Sequence, residues 1–224
     1  MLLSALSSGN IIVIIMSVMA SLFLVFCVIP LHEYAHGWMA YKMGDNTAKL
    51  RGQLTLNPLA HIDPIGAILI VLIGFGWGRP VPIDERNFKN PRKGILLTAL
   101  AGPVSSLLLG WLLLFIMTIF NHIPVLSGTI LGVAINTFFS VSAQISIYIA
   151  VLNLLPVPPF DGFGVLSVFL TDRQYYKMVA NQQLISTIVI VLLVTGILSR
   201  PLSWLAGFII NFFLFMSNLP FSLF

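Results

Sequence analysis

Charged side chains are scarce in this chain: they make up 8% of its 224 residues, while 58% are hydrophobic. A soluble domain carries about 25% charged residues, so no aqueous coat can be built here and the composition predicts an integral membrane protein. No polar stretch is long enough to bury a core of its own, which leaves one membrane domain over residues 1–224. Cysteine is limited to Cys27, excluding an internal disulfide framework and a cysteine-based zinc finger. Lying inside an apolar run, Cys27 reads as a small hydrophobe. Residues Met1–Asn10 hold no Lys or Arg, so the basic start of a cleavable signal peptide is missing and the first apolar run is expected to be retained. The net charge is +4, but the basic residues sit in short loops beside apolar runs. There they suit a lipid bilayer and its headgroups, and nucleic acid is not an expected partner.

What the chain has in abundance is long apolar runs. A membrane-crossing helix needs about 20 such residues, and the candidates are Ile11–Met43, Ile95–Phe120, Ile130–Leu155, Leu184–Leu198 and Leu202–Leu219. The last two read as a helical hairpin, within 183–219, broken at Ser199-Arg200-Pro201. The expected fold is an all-α polytopic membrane protein with about five transmembrane helices. Between the first and second, Ile65–Trp77 is too short to span and carries Gly74 and Gly76 ahead of Arg79-Pro80-Val81-Pro82. That pattern predicts a re-entrant, β-hairpin-like segment, tolerable at membrane depth where protein or water covers its backbone. With five spans, ten of the eleven Lys and Arg residues fall on one side and only Arg200 opposite. The positive-inside rule makes the basic side cytoplasmic.

The chemistry is concentrated at the end of the first run, in His32-Glu33-Tyr34-Ala35-His36. On a helix, residues i and i+4 share a face, so His32 and His36 can hold one metal ion. Glu33, about 100° further round the helix, can reach a water at that metal instead and act as a base. Ionisable groups at a span cost about 2.5–3.5 kcal/mol each, and a metal compensates them. A catalytic zinc site takes three protein ligands, so one is missing. Lys42 stands where a third histidine of the longer H-E-x-x-H pattern would be, and no Glu follows about twenty residues on. Asp45 reads as a turn residue, while Asp84, Glu85 and Asp172 read as solvated. Asp161 follows the third long run in Asn153-Leu154-Leu155-Pro156-Val157-Pro158-Pro159-Phe160-Asp161-Gly162. The prolines there stop the helix and free backbone groups, a costly feature near a membrane unless it builds a site. Asp63, in His61-Ile62-Asp63-Pro64, is the rival ligand or an Asx turn residue. His61 is a gating group or a satisfied interfacial histidine. Asn153 offers a carboxamide to an oxyanion, or bonds its own helix end. His122, in a short outer loop, is not expected to be a ligand.

Taken together, these residues resemble the site-2 protease family of intramembrane zinc metalloproteases, in its compact form without PDZ or CBS domains. His32-Glu33-Tyr34-Ala35-His36 matches the family's first motif, and Asn153 through Gly162 its N-x-x-P-x-P-x-x-D-G motif. Gly74 and Gly76 look like the G-x-G element of its re-entrant β-hairpin, and Gly102-Pro103-Val104-Ser105-Ser106 fits its G-x-x-x-(N/S/G) element. The resemblance covers residues from about 10 to 200, with core motifs within 30–162. It implies one zinc ion per chain on His32, His36 and Asp161, catalysis by Glu33 with Asn153 as substrate or oxyanion group, and single-pass transmembrane proteins as substrates in regulated intramembrane proteolysis. A prokaryotic cell membrane and a site toward the cytoplasm complete the expectation. Edge pairing with the Gly76–Val81 strand would hold an unwound substrate. Two other classes compete: a membrane metal transporter using the same ligands, and an inactive scaffold that binds membrane proteins. The first lacks the paired repeats of transporters, and the second leaves Glu33 without a purpose.

Overall fold

The computed structural model describes residues 6–7, 9–73, 76–126 and 128–221. Among these, regular structure is helical, with one isolated antiparallel bridge between Ile62 and Gly78. Helix α1 (Ile11–Met43) opens on Asn10, whose side chain accepts from the N–H of Ile12 at 2.9 Å. Leu24–Val28 forms a π-helical turn just ahead of Pro30. Proline lacks an N–H and its ring crowds the preceding turn, so the backbone widens there and re-aims the half that carries the histidines. The helix stops at Gly44, whose φ of 118° is open to glycine and strained for other residues.

Helix α2 (Pro64–Ile73) is the short apolar piece, capped by the Asp63 carboxylate, which accepts from the N–H of Gly66 at 2.9 Å. Here the structure departs from the expected β-hairpin. An apolar decapeptide satisfies its N–H groups within a helix, whereas a hairpin strand would leave one edge unpaired. The chain returns extended through Gly76–Ile83, close enough that a Cβ on Gly66 would collide with the carbonyl of Trp77. Gly74 lies outside the described residues.

Helices α3 (Pro91–Asn121) and α4 (Ile130–Asn153) form the centre. Asn90 caps α3 by accepting from Lys93 N–H at 3.1 Å, and Pro91 occupies the first turn, where its missing N–H costs nothing. A Cβ on Gly110 would sit 2.6 Å from Ile147, so this glycine lets the two axes approach. After α4, the proline-rich turn leads into α5 (Asp161–Ser167). A Cβ on Gly162 would collide with the carbonyls of Leu154 and Leu155, so the Asp-Gly pair seats α5 directly on the end of α4.

Helices α6 (Asp172–Ala180) and α7 (Gln182–Val194) meet at a 65° bend, and α8 (Ser199–Asn218) closes the chain. One buried cluster joins α3, α4 and α8 through Leu113, Leu114, Ala143, Ile147, Val151, Leu202 and Ala206. A second joins α1, α2 and α4 through Ala20, Leu24, Val25, Val28, Ile70 and Ile145.

Four helices among the described residues are long and apolar enough to cross a membrane: α1, α3, α4 and α8 with its last turn to Phe221. The fourth expected span, Leu184–Leu198, yields only the 13 residues of α7, about 20 Å at 1.5 Å per residue and shorter than the ~30 Å hydrocarbon layer. The C-terminal consequence is visible in a ring contact. Phe221 stacks on His122 with centroids 4.2 Å apart, bringing the end of α8 to the end of α3. The first turn of α8, with Arg200, therefore lies at the opposite end, toward the other ten basic residues rather than away from them. Hydropathy alone could not separate these arrangements, because it counts residues and does not see the bend.

Candidate metal centre and cleft

The π turn and Pro30 aim the second half of α1 at α3, and its 3.6-residue period puts His32 and His36 on one face. Both are buried, each 6% exposed. His36 Nδ1 donates to the carbonyl of Thr98 at 2.7 Å, leaving Nε2 of the neutral ring as the lone-pair nitrogen. His32 Nδ1 pairs with the Ser106 hydroxyl at 3.0 Å, so its Nε2 also faces inward. The two Nε2 atoms are 3.1 Å apart, and Asp161 Oδ2 lies 3.2 Å from each. Three donor atoms thus converge from helices far apart in sequence.

The surroundings fit a divalent metal. Two imidazoles and a carboxylate suit zinc, and both rings are oriented through their second nitrogen, as metal-bound histidines generally are. A Cβ on Gly102 would collide with Nε2 of His36 and lie 2.6 Å from Nε2 of His32, so this glycine of α3 clears the space the rings occupy. Burial pushes the Asp161 carboxyl up, but the hydrogen bonds and charges of His32 and His36 outweigh it and hold the group below the usual carboxylate range.

Glu33 points to a different element: its Oε2 accepts from the backbone N–H of Val81 at 2.9 Å. Pro80 and Pro82 flank this donor and have no N–H themselves, while Arg79 N–H is given to the carbonyl of His61 at 2.7 Å. The extended segment therefore uses its donors to hold Glu33 and His61. The N–H edge expected to receive a substrate strand is spent over Arg79–Pro82.

A cavity of about 880 Å³ opens beside these groups, lined by His32, Glu33, His36 and Asp161 together with residues of α2, α4, α7 and the extended segment. Asn153 lines it too, while its side-chain amide donates to the carbonyl of Ile149 at 3.1 Å, the helix-end bond that was the alternative reading. Glu85 also borders the cavity while remaining exposed, as its loop setting implied. Partial burial of its carboxyl, followed by the neighbouring Asp84, pushes that group up. Asp84 pairs with Arg86 at 2.7 Å and is held down at about 2 by that guanidinium.

The remaining sequence candidates fall away from the centre. Asp63 is the cap of α2, and His61, 1% exposed, gives Nε2–H to the carbonyl of Thr55 at 2.8 Å. His122 stacks on Phe221 at the far end of α3. Asp45 proves more than a turn residue. Buried at 1% exposure, it accepts from the N–H groups of Thr47 and Asp84 at 3.0 and 2.8 Å and from the Asn87 amide at 2.9 Å. It thereby ties the end of α1 to the loop that follows the extended segment. Thr98 and Val81 had no signal in the sequence, because each acts through its backbone. Ser106 had one in the G-x-x-x-(N/S/G) pattern.

A membrane protein of several spans that gathers two histidines and an aspartate beside a glutamate and a cleft has the architecture of a membrane-embedded metal-dependent hydrolase. Similarity to known proteins narrows the class. The model of peptidase family M50 matches residues 19–197. "Putative zinc metalloprotease YwhC" of Bacillus subtilis is 39% identical over 165 residues, covering 74% of this chain and 75% of the relative. "Putative zinc metalloprotease Rip2" of Mycolicibacterium smegmatis is 35% identical over 176 residues, 76% of this chain but 64% of the relative. The Mycobacterium tuberculosis H37Rv protein of the same name is 30% identical over 183 residues, 79% and 66%. The chain thus spans about two thirds of the mycobacterial relatives it matches. No solved structure matches it. The chain belongs to peptidase family M50, the site-2 protease family.

Proposed function

We propose that this chain is an intramembrane zinc metalloprotease that cuts peptide bonds within or near transmembrane helices of single-pass membrane proteins, in regulated intramembrane proteolysis. The observation that carries this reading is the convergence of His32, His36 and Asp161 donor atoms at 3.1–3.2 Å, with Glu33 on the same cavity. These three residues would hold one zinc ion per chain, which supplies Lewis-acid polarisation of a carbonyl and of a water. Glu33 is the base: with Oε2 held by Val81, its other oxygen takes a proton from the attacking water as the new C–O bond forms. It then gives that proton to the amide nitrogen as the C–N bond breaks. Asn153 retains a second amide hydrogen beyond its bond to Ile149, and that hydrogen serves the developing oxyanion. The apolar walls of the cleft keep bulk water from the reacting groups.

The gathering of basic residues at the end of the molecule where α1 finishes and α3 begins supports a cytoplasmic site by the positive-inside rule, in what we take to be a prokaryotic cell membrane. Purified protein, with a reporter transmembrane peptide in micelles, is the direct assay. Glu33→Gln should abolish cleavage while zinc stays bound in stoichiometric amount. Cleavage persisting in that variant would sink the assignment, and zinc flux into proteoliposomes insensitive to it would favour transport instead.

A further inference from the structure

The cleft wall formed by α4 carries a polar pair that the reaction described above does not use. Gln144 and Tyr148 both line the cavity and stand four residues apart, about 40° apart around the helix. Gln144 precedes Asn153 by nine residues, about 13 Å along the axis, which sets it deep in a membrane-spanning helix. Its side chain is exposed, and neither its carboxamide nor the Tyr148 hydroxyl makes a hydrogen bond to the described residues. Most other polar side chains of α4 are satisfied within the helix: Asn136, Thr137, Ser140, Ser146 and Asn153 each donate to a carbonyl three or four residues back, while the unpartnered Ser142 hydroxyl is buried away from the cleft. An unpaired carboxamide at this depth is costly unless something in the cleft meets it.

Its counterpart across the cleft sharpens the point. Arg79–Pro82 offers no free N–H, because two of its residues are prolines and the other two donate to His61 and Glu33. A helix that unwinds in the cleft exposes carbonyls and N–H groups that the bilayer cannot satisfy, and its carbonyls need donors. Gln144 has two amide hydrogens and one carbonyl, matching a peptide unit in both senses, and Tyr148 adds a hydroxyl.

We infer that Gln144 and Tyr148 form an amide-recognition subsite, which binds the unpaired amide groups of a transmembrane substrate where its helix opens. This rests on the protease reading above and deepens it, since it names what the cleft recognises. Two sources can present such an amide: the backbone of an unwound stretch, or an Asn or Gln side chain within an intact helix.

The test separates binding from turnover. Three fluorescent transmembrane peptides are titrated in micelles against the zinc-loaded Glu33→Gln protein, with and without Gln144→Leu or Tyr148→Phe. One peptide is uniformly leucine-rich, one carries a central Gly-Gly, and one a central Asn. Losing one amide hydrogen bond should weaken binding about five- to tenfold, and the leucine-rich peptide should bind equally to all variants. Weakening confined to the Gly-Gly peptide identifies backbone recognition; weakening confined to the Asn peptide identifies side-chain recognition. Affinities unchanged or tighter for both peptides would overturn the subsite. Cleavage by the chain with Glu33 intact is measured separately. Weakened binding without cleavage by that chain retains the subsite and refutes the protease reading, whereas cleavage with variant-insensitive binding does the reverse.

Discussion

Gly102→Ala should separate the metal centre from the stability of the helix that carries it. Alanine in a helix interior is better than glycine by about 0.8–1.0 kcal/mol, so propensity alone predicts a more stable α3. The added Cβ, however, would lie 2.6 Å from His32 Nε2 and 2.7 Å from His36 Cε1, where ordinary contact begins at 3.4 Å. The His32 ring must retreat by about 0.8 Å and the His36 ring, whose Nε2 the Cβ would overlap, by more; both exceed several times the ~0.2 Å within which metal–ligand distances are held. The overpacking costs about 1–3 kcal/mol, which exceeds or cancels the helix gain. Zinc affinity should fall by about a hundredfold, as expected when ligand orientation is lost. Chelator competition in micelles reads the affinity, and thermal unfolding of metal-free protein reads the stability. Gly207→Ala on α8 is the control, because its Cβ would meet nothing within 4 Å; it should leave zinc affinity unchanged and stabilise slightly. An unaltered zinc affinity in Gly102→Ala would refute the reasoning.

Other substitutions probe the supporting contacts. Ser106→Ala removes the partner of His32 Nδ1, and zinc affinity should drop about tenfold; the same competition assay showing no loss would assign the ring's orientation to packing. Val81→Pro deletes the N–H that holds Glu33, and turnover of a reporter peptide should fall about 10–100-fold, the worth of a hydrogen bond to a charged group, with zinc content unchanged. Equal turnover would remove Val81 from the account. Asp45→Ala leaves the donors of Thr47, Asp84 and Asn87 unpaired, costing about 1–3 kcal/mol in unfolding measurements. Burial raises the Asp45 carboxyl, but those donors win and hold it below its ordinary 3.8. Its stabilisation is therefore present above about pH 4 and is lost as pH falls through the depressed folded value. Melts from pH 6 to 3 should accordingly show a smaller acid loss in the variant than in the parent.

The membrane class and the pairing of His32 with His36 were legible in the chain because both depend on local quantities. Mean hydropathy needs no partner, and a separation of four residues is a spatial contact as soon as a helix forms. Gly102 and Ser106 were legible as a pattern, though not as the clearance and the hydrogen bond they supply. Asp161 stood out among the six acidic residues other than Glu33, with Asp63 as its rival, because its Pro-rich setting marked an interrupted span. Glu85 is exposed as its charged loop implied, whereas Asp84 is half-buried and bonded to Arg86, a pairing that needed the loop's conformation.

Four features waited for the tertiary structure. The expected span Leu184–Leu198 became the short α7, set at 65° to α6, because a helix's direction depends on what it packs against and not on its apolar length. The β-hairpin became helix α2 with an extended return, since alternating glycines permit either shape and backbone satisfaction within the apolar run decided it. Thr98 and Val81 entered the site through main-chain atoms, which every residue possesses and no letter distinguishes. Gln144 and Tyr148 stood on α4 as two polar residues among many, and only the cleft showed that they line it without a hydrogen-bond partner among the described residues. The sequence by itself thus determined the solvent and the local chemistry of α1. Which distant groups meet that chemistry was decided by packing, because convergence at 3 Å from residues 32, 36 and 161 is a property of the whole fold.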